Sequence, residues 1–156
     1  NTGGVISIYD QNNVLQSEID YDAKGVHVGN AAQTQVGGAI KFIPFKGFNI
    51  KPRFTYFGKN YSNFNATDLQ KQTGFDNRGK ESWKIPAYGL LDLSAGYEIP
   101  YKIFKVFIYG TMSNVLNTRY INDAQNNGAA ANFDATSATV FFGVGRTFTF
   151  GTKLSF

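Results

Sequence analysis

The last stretch of the chain, Val140 to Phe156, constrains the fold more than any other. Its residues alternate: bulky apolar residues such as Phe148 and Phe150 take the even positions, and small or polar residues such as Thr149 take the odd ones. A period of two is the period of a β-strand, whereas a helix would repeat every 3.6 residues. The pattern therefore predicts one long terminal strand with an apolar face and a small, polar face. Arg146 is the one charged residue at the positions of the apolar face. Its charge indicates either that it lies at a membrane interface or that the strand has a β-bulge there.

Four earlier stretches alternate in the same way, and each is predicted to be a long strand: 33–45, 48–64, 87–99 and 104–117. Short turns are predicted at 46–47 and 100–103. The long polar segments 63–86 and 118–137 are predicted to be loops. A weaker pattern over 4–21 predicts a hairpin of two short strands. Because tight turns join only antiparallel strands, the sequence predicts an all-β fold of antiparallel strands.

Composition and loop lengths favour a membrane location. Charged residues make up 17% of the chain and aromatic residues 16%, whereas soluble domains average about 25% charged residues. Short turns at one end, long loops at the other and aromatic residues near strand ends are typical of transmembrane β-barrels in bacterial outer membranes. A soluble all-β binding module such as a lectin is a further interpretation. Its polar face would usually carry more Lys and Glu than the Gly, Thr and Ser of the terminal strand.

The number of predicted strands decides whether this chain alone could close a barrel. Five long strands cannot close a transmembrane barrel, for which about eight is the practical minimum. An open edge in lipid would leave backbone groups unpaired at several kcal/mol each. The chain also begins at Asn1 without a Met or a signal peptide, so we expect it to form part of a larger barrel. The alternative is a complete small eight-stranded barrel with a structural or adhesive role.

Several stretches carry a resemblance to a known family. They are Val28 to Thr34, Phe54 to Tyr61 with Asn63 and Phe64, Trp83 to Leu93, Ser113 to Tyr120, Phe142 to Thr147, and the terminal Phe156. In this order they resemble the late strands of a TonB-dependent outer-membrane receptor. Ser113 to Tyr120 is similar to an N-N-L-F-D-x-x-Y motif near the end of these barrels, with Asn117 standing where Asp is more usual.

The resemblance implies that residues 1–156 are the C-terminal part of a 22-stranded barrel, with the plug domain and the TonB box absent from this chain. Such receptors import scarce or large nutrients such as siderophores, cobalamin or oligosaccharides. The implied partners are lipid and lipopolysaccharide, the rest of the barrel and its plug, the TonB complex through the missing N-terminal part, and a surface lipoprotein. The outer-membrane insertion machinery would read Phe156 as an assembly signal.

Two groups of residues are candidates for contacts inside such a receptor. Ligand contacts are expected from aromatic residues of the long loops: Phe64, Phe75, Trp83, Tyr120 and Phe133. The alternative is that these residues pack loop against loop. Charged residues predicted to point inward would contact the plug or pair across the wall: Lys41, Lys51, Arg53, Asp92 and Glu98, with Lys105 as a further cation. The small residues Gly143 and Gly145 are expected to leave room for the plug.

No pattern in the sequence predicts catalysis, a metal or a cofactor. The chain has no Cys, and Asp92 and Glu98 would lie about 20 Å apart along one strand, too far for an acid–base pair. Asp20, Asp22 and His27 are more simply solvated loop residues than metal ligands. The net charge of +4 is scattered and forms no patch, so a nucleic-acid partner is not expected.

Overall fold

The computed structural model describes residues 3–100 and 103–156. The fold is antiparallel β-structure with one short 3-10 helix, Ala66–Leu69. The strands are β1 Gly4–Tyr9, β2 Leu15–Tyr21, β3 Thr34–Ala39, β4 Phe42–Phe45, β5 Phe48–Gly58, β6 Asn60–Tyr61, β7 Lys71–Gln72, β8 Phe75–Asp76, β9 Lys84–Ile85, β10 Tyr88–Pro100, β11 Lys105–Ser113, β12 Ile121–Gln125, β13 Thr139–Phe142 and β14 Thr147–Ser155. No helix in these two ranges is long and apolar enough to cross a membrane.

The chain divides into two compact units, each built from three segments. The loop unit comprises Asn1–Ala32, Lys59–Pro86 and Ile121–Phe142. The sheet unit comprises Gln33–Gly58, Ala87–Tyr120 and Gly143–Phe156. The long strands predicted from the alternation fall mainly in the sheet unit, whereas the predicted loops fall mainly in the loop unit.

The sheet unit contains one six-stranded antiparallel sheet in the order β14-β11-β10-β5-β3, with β4 also paired to β5. β14 pairs with β11, so the terminal strand lies beside the strand that contains most of the stretch predicted over 104–117. Within the described residues β14 forms one edge, β3 and β4 form the other, and no closed barrel is found. The all-β antiparallel prediction is therefore confirmed.

The strand register divides the sheet into alternating apolar and polar rows. One row crosses four strands through Ile50, Ala95, Gly110 and Phe150. The next row consists of Lys51, Ser94, Thr111 and Thr149. Because successive side chains in a strand point to opposite faces, one face of the sheet is apolar and the other is polar.

In its described residues, the sheet unit buries no apolar side chain. Among the described residues, the buried hydrophobic side chains all belong to the loop unit: Ala23, Val26, Leu69, Ile85 and Ala124. A sheet with one apolar face normally packs that face against a second layer. Here the sheet forms a single layer, and its apolar face is exposed.

The loop unit is folded, with short ladders and a small core. β1 pairs with β2 as predicted for the hairpin over 4–21. The segments 63–86 and 118–137, predicted to be loops without strands, instead contribute β7, β8, β9 and β12, so the prediction of irregular structure is wrong there. Buried polar side chains hold these segments: Asn77 donates to the carbonyl oxygens of Gly128 and Ala130 at 3.1 and 3.2 Å.

The terminal strand is broken, contrary to the prediction of one continuous strand. Residues 143–146 lie between β13, which pairs with β12, and β14, which pairs with β11. The backbone of this segment belongs to no strand ladder and makes other hydrogen bonds instead. Gly143 N donates to the carbonyl oxygen of Tyr120 at 2.9 Å. Arg146 N donates to Asn117 Oδ1 at 3.1 Å. The irregularity that Arg146 indicated is thus a break in the strand.

Three other predicted strands have different bounds. The strand predicted over 33–45 is interrupted at 40–41, opposite Pro52, which has no N–H to donate to the ladder. The strand predicted over 48–64 ends at Gly58 because Lys59 adopts a left-handed φ of 52°. The strand predicted over 104–117 ends at Ser113, where Asn114 has a φ of 50°. Residues 101–102 of the predicted turn at 100–103 lie outside the described residues.

Candidate functional site

The apolar face of the sheet unit is a candidate interaction surface because its large side chains are exposed. They are Val36, Phe42, Phe45, Phe54, Tyr56, Tyr97, Ile108, Phe148, Phe150 and Leu154. Phe150 is the most open of these, with 83% of its surface exposed. Large contiguous apolar patches on a protein surface mark sites that contact a membrane or another protein.

On β5 and β10, the aromatic residues of this face lie towards the two ends of the strands, whereas Phe42 of β4, opposite Ile50, and Phe150 of β14, opposite Gly110, lie between those ends. At the turn end, the ring of Phe45 lies 5.1 Å from that of Phe48 and 6.3 Å from that of Tyr97. At the opposite end of β5 lie Phe54 and Tyr56. The residues between them are smaller or aliphatic: Ile50, Pro52, Leu93 and Ala95. These strands therefore carry two aromatic belts on either side of an aliphatic band.

Aromatic rings lie over glycines on both faces. A Cβ added at Gly89 would lie 2.7 Å from Cζ of Phe54, and one added at Gly96 would lie 2.6 Å from Cζ of Phe107. The ring of Tyr120 covers Gly143 in the same way. The sequence suggested that Gly143 leaves open space for the plug. In the structure, the ring of Tyr120 fills that space. Rings that cover strand glycines shield the exposed backbone.

The polar face holds two cross-strand ion pairs. Arg53 lies directly opposite Asp92 and donates to Asp92 Oδ2 from Nη2 at 2.6 Å. The second oxygen of Asp92 accepts the backbone N–H of Asn114 at 3.0 Å. Glu98 lies 3.8 Å from the ammonium group of Lys105. Both acids predicted to point inward thus have a cation of the neighbouring strand beside them.

The aromatic candidates of the long loops do not form one group. Tyr120 belongs to the sheet unit, where its ring stacks on that of Tyr88 at 4.3 Å. Phe64 and Phe133 belong to the loop unit and pack against its small core. Phe75 lies in β8, and the carbonyl oxygen of Trp83 accepts the N–H of Ser62 at 2.9 Å. For Phe64 and Phe133 the contacts match the alternative of loop packing, and ligand contact stays a prediction for this set.

Comparisons with known proteins find no relative of this chain. No family model, curated protein or solved structure matches the chain. The resemblance to TonB-dependent receptors therefore stays a prediction that rests on the residues quoted for it.

The loop unit contains one contact set that the sequence did not reveal. The ring of His27 stacks on Tyr61 at 4.3 Å, and its Nδ1 lies 2.8 Å from Glu81 Oε2. Partial burial would raise the pKa of Glu81, but hydrogen bonds from the His27 ring and from the backbone N–H groups of His27 and Ser82 lower it overall. His27 and Glu81 are 54 residues apart in sequence, so no local pattern could have paired them.

The acidic loop residues are held by a cation of the same unit. Arg78 donates to Asp76 Oδ2 at 2.7 Å and to Asp20 Oδ2 at 3.0 Å. Hydrogen bonds from Arg78 lower the pKa of Asp76 from 3.8 to about 2. Asp22 accepts the backbone N–H of Lys24 at 2.8 Å. Within residues 3–100 and 103–156, no group of three His, Cys, Asp or Glu side chains is placed to hold a metal ion.

Proposed function

We propose that this chain forms part of the wall of an outer-membrane β-barrel of the TonB-dependent receptor class, which imports a siderophore, a cobalamin or an oligosaccharide. The observation that carries the proposal is the single-layer sheet of the sheet unit, with an exposed apolar face and a small, polar opposite face. In a lipid bilayer such a face needs no second protein layer, because the acyl chains cover it. The role is transport, with no catalytic step.

The distribution of residues on the apolar face favours lipid over a protein partner. On β5 and β10, the aromatic belts would lie at the two membrane interfaces, as the aromatic girdles of barrels do, and the aliphatic residues between them would lie in the hydrocarbon together with Phe150 of β14. β10 has 13 residues. At about 3.3 Å per residue and a tilt of about 45°, it would cross about 30 Å, enough for an apolar band of about 25 Å.

The connections support the same interpretation. The tight turn at Lys46–Gly47 joins β4 to β5 at one end of the sheet. The connections 59–87 and 114–146 are long, and both leave the opposite end, where Phe57 pairs with Tyr88 and Ser113 with Thr147. Outer-membrane barrels have short periplasmic turns and long extracellular loops. The long connections would therefore face the outside of the cell.

The sheet edges favour a wall segment over a complete small barrel. β14 and β3 each pair on one side only in the described part of the chain. Unpaired backbone groups in hydrocarbon cost several kcal/mol each, so a membrane-embedded sheet must be closed by further strands. The proposed partners are those strands and their plug, the TonB complex, lipopolysaccharide, a surface lipoprotein and the insertion machinery. The fully exposed Phe156 would be the contact for the insertion machinery.

Two experiments test the proposal. In phospholipid vesicles, the strands of further copies can pair with the open sheet edges, so the chain refolded from urea with vesicles should float with them and resist extraction by alkaline carbonate. A monodisperse chain in detergent-free buffer that leaves the vesicles untouched would refute a membrane wall. To test the transport class, the coding gene would be disrupted in its own host. We expect loss of uptake of one limiting nutrient, and loss of TonB should abolish the same uptake; uptake that continues without TonB would exclude this receptor class.

A further inference from the structure

A small cavity lies on the polar face of the sheet unit. Its volume is about 150 Å³, and the residues that line it come from three neighbouring strands: Lys51, Arg53, Asp92, Ser94, Thr111 and Ser113. Five of these six side chains can donate hydrogen bonds, and two of the five are cations. Such a lining suits an acceptor group rich in oxygen.

The one acid of the cavity is already occupied. Asp92 accepts from Arg53 through one oxygen and from the N–H of Asn114 through the other. Its side chain is only 17% exposed, and the charge of Arg53 neutralises it. Lys51 then remains as the uncompensated charge of the cavity, since it makes no ion pair among residues 3–100 and 103–156.

A second cation without an ion pair lies near Lys51. Ala39 pairs with Arg53 and Phe42 pairs with Ile50. These two pairs flank Lys41 on one side and Lys51 on the other, although Lys41 itself lies in the break between β3 and β4. No ion pair within the described residues involves Lys41. The two lysines therefore add positive charge to this part of the sheet.

Hydroxyl groups complete the donor set. Ser94 Oγ and Thr111 Oγ1 lie opposite each other, 3.2 Å apart. Each hydroxyl hydrogen can rotate to a new acceptor. Charge-assisted hydrogen bonds from Lys to a carboxylate or phosphate are about twice as strong as neutral ones. The cavity therefore combines an unpaired cation and two adjacent neutral donors on neighbouring strands.

We propose that this cavity, with Lys51 as its unpaired cation, binds an oxyanion, namely a phosphate or carboxylate group. The site is built from the sheet unit alone and does not depend on what covers the apolar face. The group could be the phosphate of a small solute or the carboxylate of an acidic side chain that reaches the polar face. Both sources share the same chemistry, and two probes separate them.

The test is a titration of the full chain, refolded in a non-ionic detergent, with inorganic phosphate and separately with acetate. The amide resonances of Ser94 and Thr111 are followed by NMR. We expect saturable shifts with at least one of the two anions. Lys51→Gln should weaken binding about tenfold or more, because it removes a charge-assisted hydrogen bond. Tighter binding of phosphate would point to a phosphorylated solute, and equal or tighter binding of acetate to a carboxylate.

Two control variants separate a built site from general surface charge. Lys153→Gln removes the same charge from the same face, opposite Phe107, and should change the affinity less than about twofold. Thr111→Val keeps the net charge and removes one donor, so it should weaken binding measurably. Each variant is compared only if its amide spectrum retains the wild-type pattern.

The proposal fails if neither anion saturates, or if Lys153→Gln weakens binding as much as Lys51→Gln. It also fails if Thr111→Val leaves the affinity unchanged. None of these results bears on vesicle flotation, because flotation depends on the opposite face of the sheet. Failure of the oxyanion site and failure of the membrane wall are therefore distinguishable.

Discussion

Replacing Phe150 by Arg tests what lies against the apolar face. Phe150 is 83% exposed and lies opposite Gly110, which in turn pairs with Ala95. Ala95 adjoins Ser94, the middle residue of β10. The position is therefore close to the midplane of the proposed membrane span. Because the ring makes few contacts within the chain, the cost of replacing it depends mainly on its surroundings.

The expected loss in the free energy of unfolding differs between the two possible surroundings of Phe150, lipid and water. In lipid, an arginine at the midplane of a barrel costs about 2–4 kcal/mol, and removing the phenyl ring from an apolar environment costs about 1.5–3 kcal/mol. Phe150→Arg should then lower the free energy of unfolding by about 3.5–7 kcal/mol. In water, exposed residues away from special features change stability by no more than about 0.5 kcal/mol. The matched control is Thr149→Arg on the polar face, where we expect a change below about 1 kcal/mol.

The assay is urea unfolding in phospholipid vesicles, followed by far-UV circular dichroism. A loss confined to Phe150→Arg would agree with lipid contact. Similar, small effects of Phe150→Arg and Thr149→Arg would refute the reasoning, because they would show that both faces of β14 meet water.

Two further predictions concern a turn and a loop. Gly47 has a φ of 87°, and a Cβ there would lie 2.6 Å from the carbonyl oxygen of Glu98. Gly47→Ala should therefore lower the free energy of unfolding, measured in urea, by about 1–3 kcal/mol. Gly38→Ala is the control, since a Cβ there meets nothing within 4 Å, and an equal loss in both variants would contradict the steric reason. The pKa of Asp76 is lowered by Arg78 from 3.8 to about 2, so its contribution to stability is complete above pH 3.8 and is lost as the pH falls through about 2. Asp76→Asn should remove that part of the acid sensitivity, and an NMR titration that places the Asp76 midpoint near 3.8 would contradict the pairing.

The alternation of residues predicted the sheet well because strand registers preserve it. Because Leu93 lies on the apolar face, every second residue of β10 lies on the same face. The register with the two neighbouring strands places apolar residues opposite apolar residues. The order of the long strands and the apolar face could therefore be predicted from local sequence. The pairing of Arg53 with Asp92 follows from the same register.

The extent of the break at 143–146 could not be predicted because residues distant in sequence hold it. Residues 143–146 leave the ladder, and Asn117 and Tyr120 accept the backbone N–H groups of Arg146 and Gly143. Apart from Arg146, the alternation continues through the break and does not show its extent. The short ladders of the loop unit have too few residues to show a period. The contact of His27 with Glu81 joins segments 54 residues apart and has no local signal.

A spin-label scan along β14 tests the membrane wall most directly. The chain has no Cys, so single cysteines can be introduced from 147 to 155 and labelled without removing a native thiol. In vesicles, we expect accessibility to oxygen, which concentrates in lipid, to peak at Phe148, Phe150 and Leu154. Accessibility to a water-soluble nickel chelate should peak instead at Thr149 and Lys153. Accessibility without a period of two, or equal access of the chelate to both faces, would contradict a sheet whose apolar face meets lipid.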